Sequence, residues 1–174
     1  EHAGEPRYYE IDGDLRLRAD DRVAQASTVT FDAASFEIWG ALLNGAQLVI
    51  VQRSTLLSAD ALAAQIARDG ITALFLTTAL FNAHAAHAAT VFPRLRLLVF
   101  GGEAADAAAV RRVAASGGMQ CLVNGYGPTE VTTFAASYRV PTAGADSSWA
   151  AGGRVPIGRP IPNTRCLVLD RQMQ

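Results

Sequence analysis

The sequence contains no lysine, and its 15 basic residues, all arginine, are balanced by 16 acidic residues to a formal net charge of -1. No positive excess is present to attract a phosphate backbone, so nucleic acid is not expected as a partner. Two cysteines, Cys121 and Cys166, are too few for a disulfide framework and are expected to be small buried hydrophobes. The absence of a long apolar run and of a leader pattern predicts a cytoplasmic protein with no membrane partner.

What the sequence does contain is a globular composition. It has 174 residues, of which 50% are hydrophobic and 18% are charged. This excludes a disordered, collagen-like or coiled-coil chain and indicates one domain or most of one. Because the chain starts at Glu1 without methionine and stops directly after an apolar run, we expect it to be a piece of a longer protein.

From residue 22 onward, short apolar runs alternate with segments of helical length. Each run is continuous, as in a parallel strand that is buried on both faces, and each following segment is long enough to cross over a sheet. The pattern predicts an open, doubly wound α/β sheet with helices on both faces. The predicted strands are 23–28, 46–51, 71–76, 95–100 and 119–123, and the predicted helices are 33–44, 59–69, 78–88 and 105–116.

Three segments are expected from this organisation. Residues 1–21 are irregular, residues 22–140 form the sheet subdomain, and residues 141–174 begin a following β-rich subdomain. Two further strands, 134–140 and 165–169, flank a stretch rich in Gly, Pro and Ala, and we expect them at the edge of a second β layer.

Ligands of open parallel sheets bind beyond the carboxyl ends of the strands, and the first chemical segment there is Phe31–Trp39. Asp32 has two interpretations. It caps the following helix, with Phe31 and Phe36 packed as a hydrophobic staple. Alternatively, its carboxylate holds a ligand cation such as an amine.

The second segment runs from a strand into Gly101 and Gly102. Glycines allow a ligand to approach the backbone closely. Glu103 and Asp106 disfavour a bare phosphate at the next helix, so a neutral ring or sugar fits better there. A plain turn is the alternative interpretation.

The third segment, Asn124–Glu130, is the most specific of the three. Tyr126 lies between two glycines and can act as a flat platform, while the Asn124 amide can pair with the edge of a stacked base. Thr129 offers a hydroxyl near the start of a short helix after Pro128. Glu130 beside a phosphate requires a divalent cation between them, which predicts Mg²⁺.

These residues resemble a known family. Asn124-Gly-Tyr-Gly-Pro-Thr-Glu130 is similar to the N-x-Y-G-P-T-E signature of adenylate-forming enzymes, specifically the adenylation domains of nonribosomal peptide synthetases. Phe31-Asp-Ala-Ala-Ser35 resembles their F-D-x-x-S motif, residues 36–45 resemble the next segment of those domains, and Val155-Pro-Ile-Gly-Arg-Pro-Ile161 resembles their I-G-R-P-I stretch. The motifs occur in the family's order over residues 22–171.

The resemblance implies a flavodoxin-like substrate-binding subdomain. Its parent enzyme would use ATP and Mg²⁺ to convert an amino acid into an aminoacyl adenylate and pyrophosphate, then pass the acyl group to the phosphopantetheine thiol of a carrier protein. Tyr126 would stack on adenine, Asn124 would bond its edge, Thr129 would contact the α-phosphate and Glu130 would ligate Mg²⁺. The nucleotide would also be lined by Gly101, Gly102, Glu103, Ala104 and Gly127.

The resemblance also implies a substrate pocket. Asp32 would pair with the substrate ammonium group, and the rest of the lining has no charge and one polar side chain. A charged substrate would therefore be left unpaired, and we expect a branched aliphatic amino acid, Val-like first and Ile or Leu next. The pocket positions are Asp32, Ala33, Phe36, Ala79, Val99, Gly101, Gly125, Thr133 and Phe134.

Parts of the family pattern are missing from this sequence. The upstream phosphate loop ending in P-K-G, the downstream T-G-D motif and the lid with its catalytic lysine are absent. The fragment alone is therefore expected to be inactive, and two alternatives stay open: a non-catalytic binding or scaffold module, and a flavodoxin-like FMN binder. His84 and His87 are spaced like a metal pair but are expected to be surface histidines.

Overall fold

The computed structural model describes residues 16–141 and 153–172. Within them, seven strands form one sheet in the order β2-β1-β3-β4-β5-β6-β7. The strands are β1 (Arg22–Gln25), β2 (Gln47–Ile50), β3 (Ala73–Thr77), β4 (Leu97–Gly101), β5 (Cys121–Tyr126), β6 (Ala136–Val140) and β7 (Arg159–Pro160). The helices are α1 (Ala33–Leu43), α2 (Arg53–Leu56), α3 (Ala59–Asp69), α4 (Thr78–His84), α5 (Ala88–Val91) and α6 (Ala107–Ala115).

The first five strands are parallel, and the last two run antiparallel to their neighbours. β5 pairs with β4 so that Gly125 lies beside Gly101. β6 then returns antiparallel to β5, and β7 pairs antiparallel with β6. The expectation of a second β layer is therefore wrong for the described residues, because both later strands extend the same sheet.

The alternation of side chains along each strand explains why helices cover both faces. In β4, Leu97 and Val99 belong to the apolar cluster that contains residues of α1. Leu98 and Phe100 belong to the other cluster, which is formed with α2 to α6. Since successive strand residues point to opposite faces, a continuous apolar run buries both, and the predicted doubly wound α/β fold is confirmed.

The helix boundaries follow local capping chemistry. The Ser58 hydroxyl accepts a hydrogen bond from Ala61 N at 3.3 Å and begins α3, and Gly70 ends it at a φ of 63°. The predicted helix 105–116 begins instead at Ala107, because the Asp106 carboxylate caps it through Ala108 N at 2.9 Å. The predicted helix 78–88 divides into α4, a 3-10 turn over 85–87 and α5.

Two expectations near the end of the chain are wrong. Residues 165–169 form no strand, because no neighbouring strand is present to pair with their backbone. Leu167 is accordingly 77% exposed, and Val168 is fully exposed. Cys166 in this run is exposed, whereas Cys121 in β5 is buried as expected. Residues 1–15 of the predicted N-terminal segment and residues 142–152 lie outside the described part of the chain.

His84 also differs from the sequence expectation. It is buried, and its Nε2 lies 2.7 Å from the carbonyl oxygen of Leu56, so it joins α4 to the end of α2. His87 is exposed, as predicted for a surface histidine. The pair does not face one site.

We call the end of the sheet where the parallel strands begin its amino edge, and the end where they finish its carboxyl edge. A buried ion pair closes the amino edge. Asp21 Oδ1 accepts hydrogen bonds from Thr72 Oγ1 at 2.7 Å and Arg96 Nε at 2.8 Å, and its Oδ2 accepts from Arg18 N at 2.8 Å and from Arg96. Burial would raise the pKa of Asp21, but these hydrogen bonds and the Arg96 charge hold it below its usual value. The network joins β1 to the turns that precede β3 and β4.

Candidate functional site

The carboxyl ends of β4 and β5 border a cleft of about 640 Å³. Six of the residues predicted to contact a nucleotide line it, namely Gly102, Glu103, Ala104, Asn124, Tyr126 and Gly127. Gly101 is buried at the end of β4. Thr129 and Glu130 follow the lining residue Pro128 in an exposed 3-10 turn. The structure thus brings the second and third sequence segments to one place.

The two glycines at the end of β4 have different roles. Gly102 has a φ of 100°, and no atom lies within 4 Å of where its Cβ would be, so its backbone borders open space as expected for ligand approach. A Cβ on Gly101 would instead lie 2.2 Å from the carbonyl oxygen of Gly125. Glycine at 101 is therefore required by strand packing, because the neighbouring strand fills the space that a side chain would take.

Asn124 presents a defined hydrogen-bonding edge to the cleft. It lies within β5 rather than in a turn after it, and its Nδ2 donates to the carbonyl oxygen of Pro156 at 2.8 Å. A carbonyl can only accept, so this contact fixes which end of the amide is the donor. The acceptor Oδ1 has no partner among the described residues, and the neighbouring Tyr126 ring is 47% exposed beside it.

The segment before β7 forms a wall of the cleft that sequence reasoning did not assign. Arg154, Val155 and Ile157 line it, and Arg154 is the cationic side chain of the described lining. The Val155–Ile161 motif was the available signal. Its position beside Asn124 could not be inferred, because it depends on the antiparallel return of β6 and β7.

On the other face of the same edge, Asp32 lies immediately before α1. Its side chain makes no capping hydrogen bond, and Phe31 is 66% exposed, so the interpretation as a cap with a hydrophobic staple is wrong. The Asp32 carboxylate has no partner among the described residues. Its backbone carbonyl accepts a hydrogen bond from Thr133 Oγ1 at 2.8 Å, which joins α1 to the loop after β5.

Most of the residues predicted to form the substrate pocket are packed together on this face. The Phe134 ring lies 5.3 Å from the Phe36 ring and 5.9 Å from the Phe75 ring, centroid to centroid. A Cβ on Gly125 would approach the Phe134 ring to 2.4 Å, so this ring covers the glycine. Ala33 and Val99 are buried in the same cluster, while Ala79 lies apart, exposed in the first turn of α4.

The loop that presents Phe134 is conformationally unusual. Thr132 and Thr133 have φ angles of 57° and 80°, in the left-handed region that β-branched residues rarely adopt. Such backbone strain is concentrated at functional sites, and each such residue costs on the order of 1–3 kcal/mol. The hydrogen bond from Thr133 to Asp32 holds this conformation in place.

Comparison with known proteins identifies the family. Residues 7–174 match the family model described as AMP-binding enzyme. The chain belongs to the AMP-binding enzyme family.

Similar proteins include surfactin synthase subunit 2 of Bacillus subtilis, 41% identical over 99% of this chain and 5% of that protein. Malpibaldin synthetase of Mortierella alpina is 43% identical over 89% of this chain and 3% of that protein. Among solved structures, holo-PA1221, a nonribosomal peptide synthetase protein with adenylation and PCP domains, superposes with a TM-score of 0.82 at 35% identity. The match covers 92% of this chain and 27% of that one. The chain therefore spans a small part of its relatives.

Within this AMP-binding chain, the two predicted sites share one sheet edge on opposite faces. Asn124 and Tyr126 line the cleft. Gly125 between them borders both regions, because its backbone also lines the cleft while a Cβ on it would face the Phe134 ring. Within the described part of the chain, no helix is both long and apolar enough to cross a bilayer. The same residues bring no three His, Cys, Asp or Glu side chains together as a metal cluster.

Proposed function

We propose that this chain is the substrate- and adenine-binding core of an adenylation domain in nonribosomal peptide synthesis. The parent enzyme activates an amino acid with ATP and transfers it to the phosphopantetheine thiol of a carrier protein. The observation that carries the proposal is that the Asn124 and Tyr126 cleft and the unpartnered Asp32 carboxylate both lie at the carboxyl ends of the parallel strands, where Thr133 joins Asp32 to the loop after β5. Family membership favours this function over a flavin binder.

In the proposed site, adenine stacks on Tyr126 and donates its amino group to Asn124 Oδ1. The Pro156 contact supports this choice of atom, because it engages the donor end of the Asn124 amide. Guanine, which has a carbonyl oxygen in place of that amino group, would bring two acceptors together. The cleft should therefore select ATP over GTP.

On the opposite face, Asp32 binds the substrate ammonium group and holds the substrate carboxylate toward the α-phosphate. A carboxylate oxygen attacks the α-phosphorus, the bond to the bridging oxygen breaks, and pyrophosphate leaves. Thr129 contacts the α-phosphate. Glu130 would hold Mg²⁺, an ion that binds through few carboxylates, and the ion would supply positive charge against the phosphates.

We propose that the substrate is an aliphatic amino acid, with Val-like side chains preferred over Ile and Leu. Phe36, Val99 and Phe134 supply an apolar lining that has no charge to pair with a charged substrate side chain. The test is ATP–pyrophosphate exchange by the intact adenylation domain, measured across the amino acids. We expect exchange to be fastest with Val and slower with Ile and Leu. With Asp, Lys and Arg it should be absent. A preference for any charged amino acid over Val would contradict the pocket assignment.

A second candidate is a non-catalytic binding module, which the absence of lysine and of a P-K-G phosphate loop from this chain favours. Stabilising negative charge in the transition state requires preorganised positive groups. Exchange by the intact domain but not by the 174-residue chain would show that activity requires residues outside this sequence.

A further inference from the structure

Glu37 is a fully buried carboxylate that the proposed mechanism does not use. It lies in the second turn of α1 with 0% of its surface exposed, one residue after Phe36. Burial raises the pKa of Glu37 to about 7, although hydrogen bonds from Ser27, Ala26 and Gln25 act in the opposite direction. A carboxylate that is shielded from water in this way requires hydrogen-bond donors within the protein.

Those partners are the first residues after β1. Glu37 Oε2 accepts hydrogen bonds from Ala26 N at 3.2 Å and Ser27 N at 3.0 Å. Glu37 Oε1 accepts from Ser27 N at 3.1 Å and from Ser27 Oγ at 2.9 Å. One carboxylate thus satisfies two backbone N–H groups and one hydroxyl at the start of the connection between β1 and α1.

This connection, residues 26–32, ends at Asp32. Glu37 holds its beginning, and Thr133 Oγ1 holds its end through the Asp32 carbonyl oxygen. Between the two anchors the chain bonds mainly to itself, for example from Phe31 N to Thr28 O at 2.9 Å, and residues 28–31 are exposed. The backbone that carries Asp32 is therefore fixed from outside the connection at its two ends.

The geometry points to Glu37 as a positioning residue for the amino-acid site. It holds the 26–32 connection so that the Asp32 carboxylate meets the substrate ammonium group, without itself touching the substrate. Both oxygens of Glu37 accept hydrogen bonds from the three donors of Ala26 and Ser27. Glutamine has one acceptor oxygen and would turn an N–H group toward at least one of these donors. The inference rests on the proposed function, since it needs Asp32 to bind an amine.

A positioning role and a merely structural role predict different kinetics. The nucleotide cleft lies on the other face of the sheet and has no hydrogen bond to the 26–32 connection among the described residues. Displacing the connection should therefore weaken amino-acid binding alone. General destabilisation would lower the amount of folded enzyme, and so the apparent kcat, without changing either KM.

The test uses the intact adenylation domain in the pyrophosphate exchange assay with Val as the amino acid. Glu37→Gln should raise the KM for Val about tenfold or more, the effect of losing one charged hydrogen bond, while the KM for ATP stays within about twofold. Ser27→Ala, which removes one hydroxyl donor and keeps the carboxylate, should raise the KM for Val in the same direction by a smaller factor. If Glu37→Gln does not fold, Ser27→Ala carries the test.

The matched control is Thr72→Val at the opposite edge. It removes two hydrogen bonds, one more than Ser27→Ala, from Thr72 Oγ1 to Asp21 and from Arg22 N to Thr72 Oγ1, and should leave both KM values unchanged. An unchanged KM for Val in the folded Glu37 and Ser27 variants, or equal rises in both KM values, would overturn the positioning role alone. Absence of exchange in the unaltered domain would overturn the proposed function and the positioning role with it.

Discussion

The two edges of the sheet are built in opposite ways. At the amino edge, the Asp21 carboxylate is paired with Arg96, Thr72 and the backbone of Arg18. At the carboxyl edge, the Asp32 carboxylate and the acceptor oxygen of Asn124 have no partners among the described residues. The amino edge satisfies its carboxylate within the protein, although the nearby Arg22 Nε is buried without a hydrogen-bond partner among the described residues. The carboxyl edge leaves two acceptor groups available.

The difference teaches which groups serve stability and which serve binding. A buried charge without its partner destabilises a fold strongly, so the amino edge is where substitutions should unfold the protein. An unpartnered, accessible carboxylate contributes little to folding, and its removal should be felt only when a ligand binds. Glu37 is the exception at the carboxyl edge, because it is fully partnered yet supports a binding residue.

The largest expected effect is on stability at the amino edge. Asp21→Asn leaves the buried Arg96 guanidinium without its counter-charge and should lower the free energy of unfolding by about 3–5 kcal/mol. Urea unfolding of the intact domain measures this. In the fraction that remains folded, the KM values for ATP and amino acid should be those of the unaltered enzyme; a selective rise in either would show that the two edges are not independent.

The next effect is on binding at the carboxyl edge. Asp32→Ala should reduce kcat/KM for every amino acid by about 10- to 150-fold, the equivalent of a charged hydrogen bond of about 1.5–3 kcal/mol. The urea midpoint should stay unchanged, because the carboxylate has no folded-state partner to lose. Ser58→Ala is the matched control, since it removes the cap of α3 away from the cleft and should cost about 1 kcal/mol of stability while leaving kcat/KM intact. If Asp32→Ala were destabilised but fully active, Asp32 would serve folding and not amino-acid binding.

The two buried carboxylates should also give stability opposite dependences on pH. The pKa of Asp21 is lowered from 3.8, so its contribution is present above that value and is lost as the pH falls through the lower folded pKa. The pKa of Glu37 is raised from 4.5 to about 7, so its contribution is present below 4.5 and is lost as the pH rises through about 7. Urea unfolding over this pH range should therefore show a decline in stability from pH 4.5 to about 7 that Glu37→Gln removes and Asp21→Asn retains.

The smallest effect concerns the isolated 174-residue chain. Stacking of one base on Tyr126 contributes about 1–3 kcal/mol, which is less than the ~4 kcal/mol that a millimolar affinity represents. Calorimetry with ATP and Mg²⁺ should detect no micromolar binding, and amino-acid-dependent pyrophosphate exchange should equal that of a heat-killed control. Micromolar affinity would mean that the cleft alone recognises the phosphates.

Much of this organisation could be predicted from the sequence. Buried parallel strands give short continuous apolar runs, and the carboxyl ends of β4 and β5, with the loops that follow them, carry motifs whose residue types indicate a nucleotide site. Residues that depend on tertiary position could not be predicted. The apolar run 165–169 resembles a strand but meets no neighbour, and Glu37 lies in an apolar helix where nothing local indicates its partners at 26 and 27.

The wall formed by Arg154, Val155 and Ile157 shows the same limit. These residues lie about 30 positions after Asn124, and they reach the cleft because β6 and β7 fold back along β5. The side chain of Asp32 illustrates the reverse case. Its position before a helix indicates a cap, and only the structure shows that the carboxylate is left unbonded.

We expect the carboxyl edge to bind nucleotide and amino acid together, while the amino edge only stabilises the fold. Hydrogen–deuterium exchange of the intact domain, with and without a non-hydrolysable valyl-adenylate analogue, tests it most directly. In the presence of the analogue we expect slower exchange in segments 26–36, 101–105, 124–135 and 154–157. Exchange in segments 18–22, 70–73 and 95–96 should be unchanged. Protection centred on the amino edge, or its absence from both faces of the carboxyl edge, would contradict it.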